Sequence, residues 1–159
     1  MFSIGFTDEL LTKLEPTEVD GRVGLLVLGS DEERFAVHFS VWSEQQYVDH
    51  WKSALVRALD GKPSALVTDM RTPARSSHLI WWPMWRANGE VVFHNQLLFF
   101  EQHGIEGPQV DIERLYGVIG ARRSHTDEGT PLSEWAVPAS DVITFLEGGL
   151  PLPRTDLPG

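Results

Sequence analysis

The feature that most constrains the fold of this chain is an Asn-Gly pair, Asn88-Gly89, between two runs rich in aromatic and β-branched residues. Such a pair is the strongest short-range signal for a β-hairpin, because both central residues of a type I′ turn require positive φ. The flanking runs, residues 81–87 and 90–100, should form two central strands of an antiparallel sheet. Pro83 cannot donate to a strand ladder, so we expect it at an edge, at a bulge, or where pairing has stopped.

Residues 43–59 carry the clearest helix signal. Ser43 as N-cap and Gln46 three residues later form a capping box, and Trp42 can pack on Tyr47 as a hydrophobic staple. Apolar residues recur through this segment at helical spacing and form one stripe. We therefore expect this helix to lie on the sheet.

Shorter elements complete the predicted fold. Alternating apolar residues predict strands near residues 2–6, 23–27 and 35–39, and short apolar runs predict strands near residues 65–69, 115–119 and 133–137. A helical turn is expected to begin at Thr7, residues 16–21 read as a connector, and Ser140 is expected to cap a brief C-terminal helix over about residues 140–147. Because hairpins dominate, the sequence predicts an α+β domain. Its mostly antiparallel, twisted sheet should be packed by one main helix at about 43–59 and by the short C-terminal helix.

Length and composition fit one soluble domain. The chain has 159 residues, of which 42% are hydrophobic and 23% charged, and we assign residues 1–148 to a single domain and residues 149–159 to a Pro/Gly-rich tail. Cysteine is absent, which excludes disulfides and thiolate metal sites. The N-terminus lacks the basic segment and apolar run of a signal peptide, so we expect a cytoplasmic protein.

The net charge of −10, from 23 acidic and 13 basic residues, constrains the choice of partner. A negative field repels phosphate backbones and anionic lipids, so neither nucleic acid nor a membrane is expected to bind. The same field would steer a basic protein toward the surface. Solubility alone is the simpler explanation for such a charge.

Catalytic motifs do not emerge from the sequence. HExxH, GxSxG and phosphate-binding glycine loops are missing, and no cofactor is predicted. Residues 124–127, Ser-His-Thr-Asp, offer the atoms of a catalytic relay, but neighbours on a loop cannot face one another as a relay requires. His94, His103 and Glu101 could converge on a metal if the end of the strand folds back; the simpler interpretation makes His94 a hydrogen-bonded structural residue beside Trp or Asn side chains.

Six tryptophans are the other notable excess. At adjacent positions such as Trp81 and Trp82, strand geometry sends one ring to each face of the sheet. An exposed tryptophan ring is costly unless covered, and coverage by the same chain is the interpretation we favour over coverage by a partner. A Trp-lined pocket for a small ligand is a further alternative.

Several segments together resemble one bacterial family. They are Trp42-Ser43 with Tyr47 and Trp51, then Trp81-Trp82-Pro83, His94-Asn95-Gln96-Leu97-Leu98-Phe99, and Ser133-Glu134-Trp135-Ala136-Val137 with Asp141-Val142 and Phe145-Leu146. The family is that of immunity proteins attached to contact-dependent growth inhibition toxins and related polymorphic toxin systems. The resemblance spans about residues 2–147 and involves residues of the fold, not of a site.

The resemblance implies a non-enzymatic, cytoplasmic inhibitor. It would bind the C-terminal domain of one cognate toxin, a basic domain and often a nuclease, and occlude its active site or its substrate path. Acidic residues expected on loops would meet lysines and arginines of the toxin. These predicted toxin-binding residues are Asp31, Glu32, Glu33, Glu106, Asp111, Glu113, Asp127 and Glu128. A small metal-dependent domain using His94, His103 and Glu101, or a ligand-binding domain with a Trp-lined pocket, stays the alternative.

Overall fold

The computed structural model describes residues 1–11 and 21–148, and it confirms the α+β class. Within these residues each strand is antiparallel to its paired neighbour. The strands are β1 (Phe2–Leu10), β2 (Gly21–Leu28), β3 (Asp31–His38), β4 (Ser64–Asp69), β5 (His78–Ala87), β6 (Glu90–Phe93), β7 (Gln96–Phe99) and β8 (Trp135–Pro138). The helices are α1 (Glu44–Leu59), α2 (Ile112–Tyr116) and α3 (Ala139–Glu147).

The strands are divided between two sheets. β1, β2 and β3 form a three-stranded sheet, and β4, β5, β6 and β8 pair in that order in the second, with β7 also paired to β5. α1 packs mainly on β4, and α3 lies against β1 and β6. Both sheets and all three helices contribute to one core, in which Phe2 stacks on Phe93 at 5.6 Å between ring centroids and meets Phe145 edge-on at 5.3 Å.

β1 is longer than the sequence predicted. Its first half has the expected alternation of buried side chains. The helical turn predicted to begin at Thr7 is wrong, because the strand continues to Leu10, which pairs with Arg22 of β2 after a shift of register. Thr7 Oγ1 donates to the carbonyl oxygen of Val23 at 2.8 Å and does not cap a helix. Pairing with a strand distant in sequence has outweighed the local helical preference.

Gly24 of β2 is needed for close packing against β3. It lies directly opposite Phe35, and a Cβ built on Gly24 would come within 2.4 Å of the Phe35 ring. The missing side chain leaves room for that ring, which meets Trp51 of α1 edge-on at 6.1 Å. The three-stranded sheet therefore contacts the helix through an aromatic side chain that a larger residue at position 24 would displace.

The predicted helix and its start are confirmed. The Ser43 side chain accepts a hydrogen bond from the Gln46 backbone N–H at 3.2 Å, and the Gln46 side chain accepts one from the Ser43 N–H at 2.9 Å. Trp42 meets Tyr47 edge-on at 5.2 Å, which is the expected hydrophobic staple. α1 thus begins where its own sequence specifies.

The predicted hairpin is present, but its turn is not type I′. Ala87 of β5 pairs with Glu90 of β6, so Asn88 and Gly89 form the two-residue turn. Asn88 has a φ of 57°, whereas Gly89 does not have the positive φ that a type I′ turn requires at both positions. The Gly89 carbonyl oxygen accepts a hydrogen bond from the Ala139 N–H at 2.8 Å. This contact at the start of α3 holds the turn from outside the hairpin, and the local sequence does not encode it.

Pro83 lies where the pairing between the two arms of the hairpin is interrupted, which is one of the three expected places. It faces His94, whose N–H donates to the Pro83 carbonyl oxygen at 2.9 Å, but Pro83 has no N–H to return the bond. The interruption divides the second arm of the hairpin into β6 and β7, which keep the same register against β5. Both strands pair with β5, but only β6 also pairs with β8 on its other side among the described strands.

Both adjacent tryptophans are covered by the chain itself, as the favoured interpretation predicted. Trp81 and Trp82 are each 2% exposed. Trp82 packs on Trp135 of β8 with 5.2 Å between ring centroids. Coverage by a partner is therefore not needed to keep these rings out of water.

Two short elements were misassigned from the sequence. The strand predicted at residues 115–119 is wrong: Leu115 and Tyr116 end α2, whose N-cap Asp111 accepts a hydrogen bond from the Glu113 N–H at 3.0 Å. A five-residue apolar run does not distinguish strand from helix, and the aspartate cap settles it. Ser140 does not cap the C-terminal helix, because α3 already begins at Ala139 and its N-cap residue makes no side-chain hydrogen bond.

Two predicted segments fall outside the described residues. The connector expected at residues 16–21 falls outside them except for Gly21, which begins β2. The tail expected at residues 149–159 falls entirely outside them.

Candidate functional site

The first group of predicted toxin-binding residues lies at one end of the three-stranded sheet. Residues 31–33 begin β3 rather than a loop, since the turn consists of Gly29, with a φ of 68°, and Ser30. Asp31 and Glu32 are exposed and Glu33 is half-buried. The strand pairing therefore holds this acidic triplet in a fixed, extended arrangement.

The second group surrounds α2. Glu106 is exposed and lines a cavity of about 820 Å³. Asp111 is engaged as the N-cap of α2, and Glu113 lies 3.9 Å from Arg57 of α1 with 72% of its side chain exposed. Of these three carboxylates, Asp111 thus has a structural task in its own helix.

The third group lies on the loop of residues 124–132. Asp127 pairs with Arg123 at 2.6 Å, yet 88% of its side chain is exposed, and Glu128 beside it is exposed as well. The loop is held by its own hydrogen bonds, which include Thr126 N–H to the Thr130 carbonyl oxygen at 2.8 Å. Its two acids line a cavity of about 410 Å³.

The structure does not gather the eight predicted residues into one patch. Glu106 lines the cavity of about 820 Å³, Asp127 and Glu128 line that of about 410 Å³, Glu113 lines a third of about 620 Å³, and residues 31–33 lie at the end of a different sheet. Their role in binding stays a prediction.

A polar cluster that the sequence did not reveal lies where the hairpin is interrupted. His94 is 4% exposed, and its Nε2 lies 2.8 Å from Oε2 of Glu134. Arg122 donates to both oxygens of the same carboxylate, from Nε and from the terminal nitrogen, each at 2.8 Å. Arg122 first, and then His94, lower the pKa of Glu134 to about 2. Trp85 packs edge-on against His94 at 4.7 Å, so the structural interpretation of His94 is confirmed.

The alternative metal site is not assembled. Glu101 and His103 lie exposed on a 3₁₀ turn, Glu101–His103, while His94 is buried against Glu134. Among residues 1–11 and 21–148, His, Asp and Glu side chains form no group of three or more that could hold a metal ion.

The other two buried histidines also have partners in the core. His38 Nδ1 lies 3.1 Å from Oδ1 of Asp69, beside Arg71, at the junction of the two sheets. His50 of α1 accepts a hydrogen bond at Nε2 from the Val67 N–H of β4 at 2.9 Å. Burial lowers the pKa of His50 to about 3, so this ring is neutral.

The alternative of a Trp-lined pocket has a partial counterpart in the structure. Trp81 and Trp85 line the cavity of about 410 Å³ together with His94 and the loop of residues 124–132. The indole N–H of Trp81 is buried and has no hydrogen-bond partner.

In the described part of the chain, none of the helices has the length and apolar content needed to cross a membrane.

Comparison with known proteins identifies one family. The sequence model of the CdiI N-terminal domain matches residues 37–145, from β3 to α3. The immunity protein CdiI of Enterobacter cloacae subsp. cloacae is 26% identical over 141 residues, which cover 86% of this chain and 94% of that protein. The comparisons give no support to the metal-binding or ligand-binding alternative.

The fold agrees with a solved structure. The chain superposes on a chain of the CdiA-CT/CdiI toxin and immunity complex from Enterobacter cloacae with a TM-score of 0.79 and 24% identity, covering 93% of this chain and 97% of that one. The family model alone matches well over half of the sequence, from the end of β3 through α1 and the second sheet to α3. The chain belongs to the CdiI N-terminal domain family of contact-dependent growth inhibition immunity proteins.

Proposed function

We propose that this chain is an immunity protein that binds one cognate toxin domain and neutralises it by occluding the active site or the path of the substrate. The observation that carries the proposal is family membership over residues 37–145. The relative that matches along 94% of its length is named an immunity protein, and the superposed structure is a toxin and immunity complex. The chain would act by binding and would transform no substrate.

Charge supports a basic toxin domain as the partner. The net charge of −10 steers a positively charged protein toward the surface and raises the rate of association. A nuclease fits this description, since proteins that bind nucleic acid carry basic surfaces that meet phosphate groups. Carboxylates that would contact it include Asp31, Glu32, Glu33, Glu106, Asp111, Glu113, Asp127 and Glu128.

The unit proposed to bind the toxin is the domain of residues 1–148. The proposed site of action is the cytoplasm of the producing cell, where a toxin domain would meet its target. A protein that protects by occlusion needs to be present there before the toxin arrives.

Co-expression with a cognate toxin domain tests the proposal. Cells that express the toxin alone should stop growing, cells that also express this chain should grow, and the two proteins should co-purify in a fixed ratio. Failure of both rescue and co-purification would reject the proposed function.

Charge reversal then tests the acidic residues by location. A pair of substitutions, Asp127→Lys with Glu128→Lys, alters the loop of residues 124–132, and a second pair, Asp31→Lys with Glu32→Lys, alters the end of the three-stranded sheet. Each pair changes the net charge equally, so a location that contacts the toxin should show the larger loss of affinity. Equal and small losses of affinity would mean that both groups of carboxylates act only through the overall negative electrostatic field of the chain.

A further inference from the structure

β7 has one edge that is paired and one that is open. Hydrogen bonds at the two ends of the β5–β7 region fix the phase of the ladder: Phe100 N–H donates to the Ser77 carbonyl oxygen at 3.0 Å, and His94 N–H donates to that of Pro83 at 2.9 Å. In an antiparallel pair, every second residue directs its N–H and C=O toward the partner strand. Between these two hydrogen-bonded ends, the residues of β7 therefore alternate between facing β5 and facing away from it.

This alternation assigns the backbone groups of β7. Gln96 and Leu98 direct their N–H and C=O groups toward β5, whereas Leu97 and Phe99 direct theirs to the opposite side. β8, which would cover that side if it were longer, begins at Trp135 opposite Phe93 of β6 and does not extend along β7. Within residues 1–11 and 21–148, nothing accepts or donates a hydrogen bond at the outward groups of β7. We call the outward backbone groups of Leu97 and Phe99 the open edge.

The side chains at the open edge are also exposed. Leu97 is 49% and Phe99 is 38% exposed, and both lie on the same face of the sheet. An uncovered strand edge with apolar side chains is a ready template for pairing with another strand, and proteins normally protect such edges with charges, proline or a bulge. Leu97 and Phe99 supply no such protection.

Carboxylates line the two cavities that Leu97 and Phe99 also line. Phe99 lines the cavity of about 820 Å³, whose charged lining consists of Glu101 and Glu106. Leu97 lines the cavity of about 410 Å³, which includes Asp127 and Glu128, with Arg123 paired to Asp127. The two cavity walls beside β7 thus hold four carboxylates and one guanidinium.

We propose that the open edge of β7 binds a strand of the toxin that carries lysine or arginine side chains, which adds one strand to the second sheet. The inference rests on the proposed function and names the surface and the partner's chemistry. Backbone hydrogen bonds to Leu97 and Phe99 supply affinity, and the flanking carboxylates select a basic strand. A second copy of this chain fits the edge poorly, because pairing two such edges brings eight carboxylates together.

Amide hydrogen exchange of the complex gives the sharpest test. The amides of Leu97 and Phe99 should exchange rapidly in the free protein and slowly when the purified toxin domain is bound. The amides of Gln96 and Leu98 already donate to β5, so they should be protected in both states. Equal exchange at Leu97 and Phe99 with and without toxin would overturn the proposal.

Substitutions at one exposed position provide the affinity test. Leu97→Pro removes one outward N–H, which an edge strand tolerates, and should weaken toxin binding about tenfold. Leu97→Lys places a like charge beside the basic strand and should weaken binding more. Val56→Lys on α1 is the matched control, since Val56 is 47% exposed, and it should bind like the wild type.

The outcomes separate this inference from the proposed function. If the wild type binds the toxin and both Leu97 variants bind equally well, the open edge is not the contact and only this inference is overturned. If the wild type neither binds nor protects, the proposed function fails and this inference with it. If the wild type is a dimer that Leu97→Pro dissociates, the occupant is a second copy and the proposal is wrong. Should Leu97→Pro fail to fold, Leu97→Lys and amide exchange decide.

Discussion

Mild acid should destabilise the protein through one buried side chain, His50 of α1. Its Nε2 accepts a hydrogen bond from the Val67 N–H at 2.9 Å, and this bond requires a neutral ring. Trp42 and Tyr116 pack beside the ring, at 5.0 and 6.5 Å between centroids, and leave it 8% exposed. Burial lowers the pKa of His50 from 6.5 to about 3.

The direction and size of the effect follow from linkage. Because the folded-state pKa lies below the unfolded value, the unfolded chain takes up the proton first. The contribution of His50 to stability is therefore complete above about pH 6.5 and is lost as the pH falls toward about 3. A shift of this size removes about 2 kcal/mol of unfolding free energy between pH 7.5 and pH 5, and about 4 kcal/mol by pH 3.

Urea unfolding of the wild type and of His50→Gln measures this loss. The Gln side-chain oxygen can accept the Val67 N–H near the position of Nε2, but it does not titrate. The variant should start less stable at pH 7.5, because it packs less well. The difference in unfolding free energy between the two proteins should then shrink by about 2 kcal/mol at pH 5, since the other histidines are common to both. A difference that stays constant with pH would mean that His50 does not have a lowered pKa in the folded protein.

Three further substitutions test the fold and the hairpin cluster by urea unfolding. Ser43→Ala removes the N-cap of α1 and should lower the unfolding free energy by about 1 kcal/mol. An unchanged unfolding free energy would mean that the capping box does not stabilise the protein. Gly24→Ala brings a Cβ within 2.4 Å of the Phe35 ring and should lower the unfolding free energy by about 1–3 kcal/mol. Adding Phe35→Leu to the same chain should recover most of that loss. Equal losses with and without Phe35→Leu would contradict that contact. Glu134→Gln breaks the bidentate pair with Arg122 and should lose about 2 kcal/mol at pH 7. Because the pKa of Glu134 is lowered to about 2, the difference from wild type should vanish as the pH falls from 4.5 toward 2, and a difference that persists would argue against the ion pair.

Local signals predicted the elements whose causes are local. The capping box at Ser43 and Gln46 sets the start of α1 from within four residues, and the structure reproduces it. Asn88-Gly89 likewise placed the central hairpin at the right residues. The turn type was missed: only Asn88 has the positive φ of a type I′ turn, and the Gly89 carbonyl oxygen accepts a hydrogen bond from the Ala139 N–H, fifty residues further along the chain.

Long-range pairing explains the error at Thr7 and the features that the sequence did not reveal. The helical turn at Thr7 was a reasonable local prediction, but β1 continues because β2 supplies a partner for Leu10. The polar cluster at the interruption of the hairpin was mostly hidden for the same reason. His94 contacts Glu134, which is forty residues away in the sequence, and no sequence spacing links the two. The open edge of β7 was equally hidden, since it depends on where β8 begins to pair with β6.

Charge was visible in the sequence, but its distribution was not. The net charge of −10 predicted a negative surface, whereas the strand and loop positions of Asp31, Glu106 and Asp127 follow from the fold. A sequence lists acidic residues without saying which of them share a face. The grouping of carboxylates beside β7 became apparent only with the tertiary structure.

Titration of the purified cognate toxin domain with increasing amounts of this chain, with toxin activity as the readout, shows whether the chain protects by occlusion. Protection by occlusion predicts that activity falls in proportion to the chain added and disappears near one molecule of chain per molecule of toxin, without any modification of the toxin. Full toxin activity in the presence of excess chain, or loss of activity at amounts far below one chain per toxin, would show that the chain does not protect by occlusion.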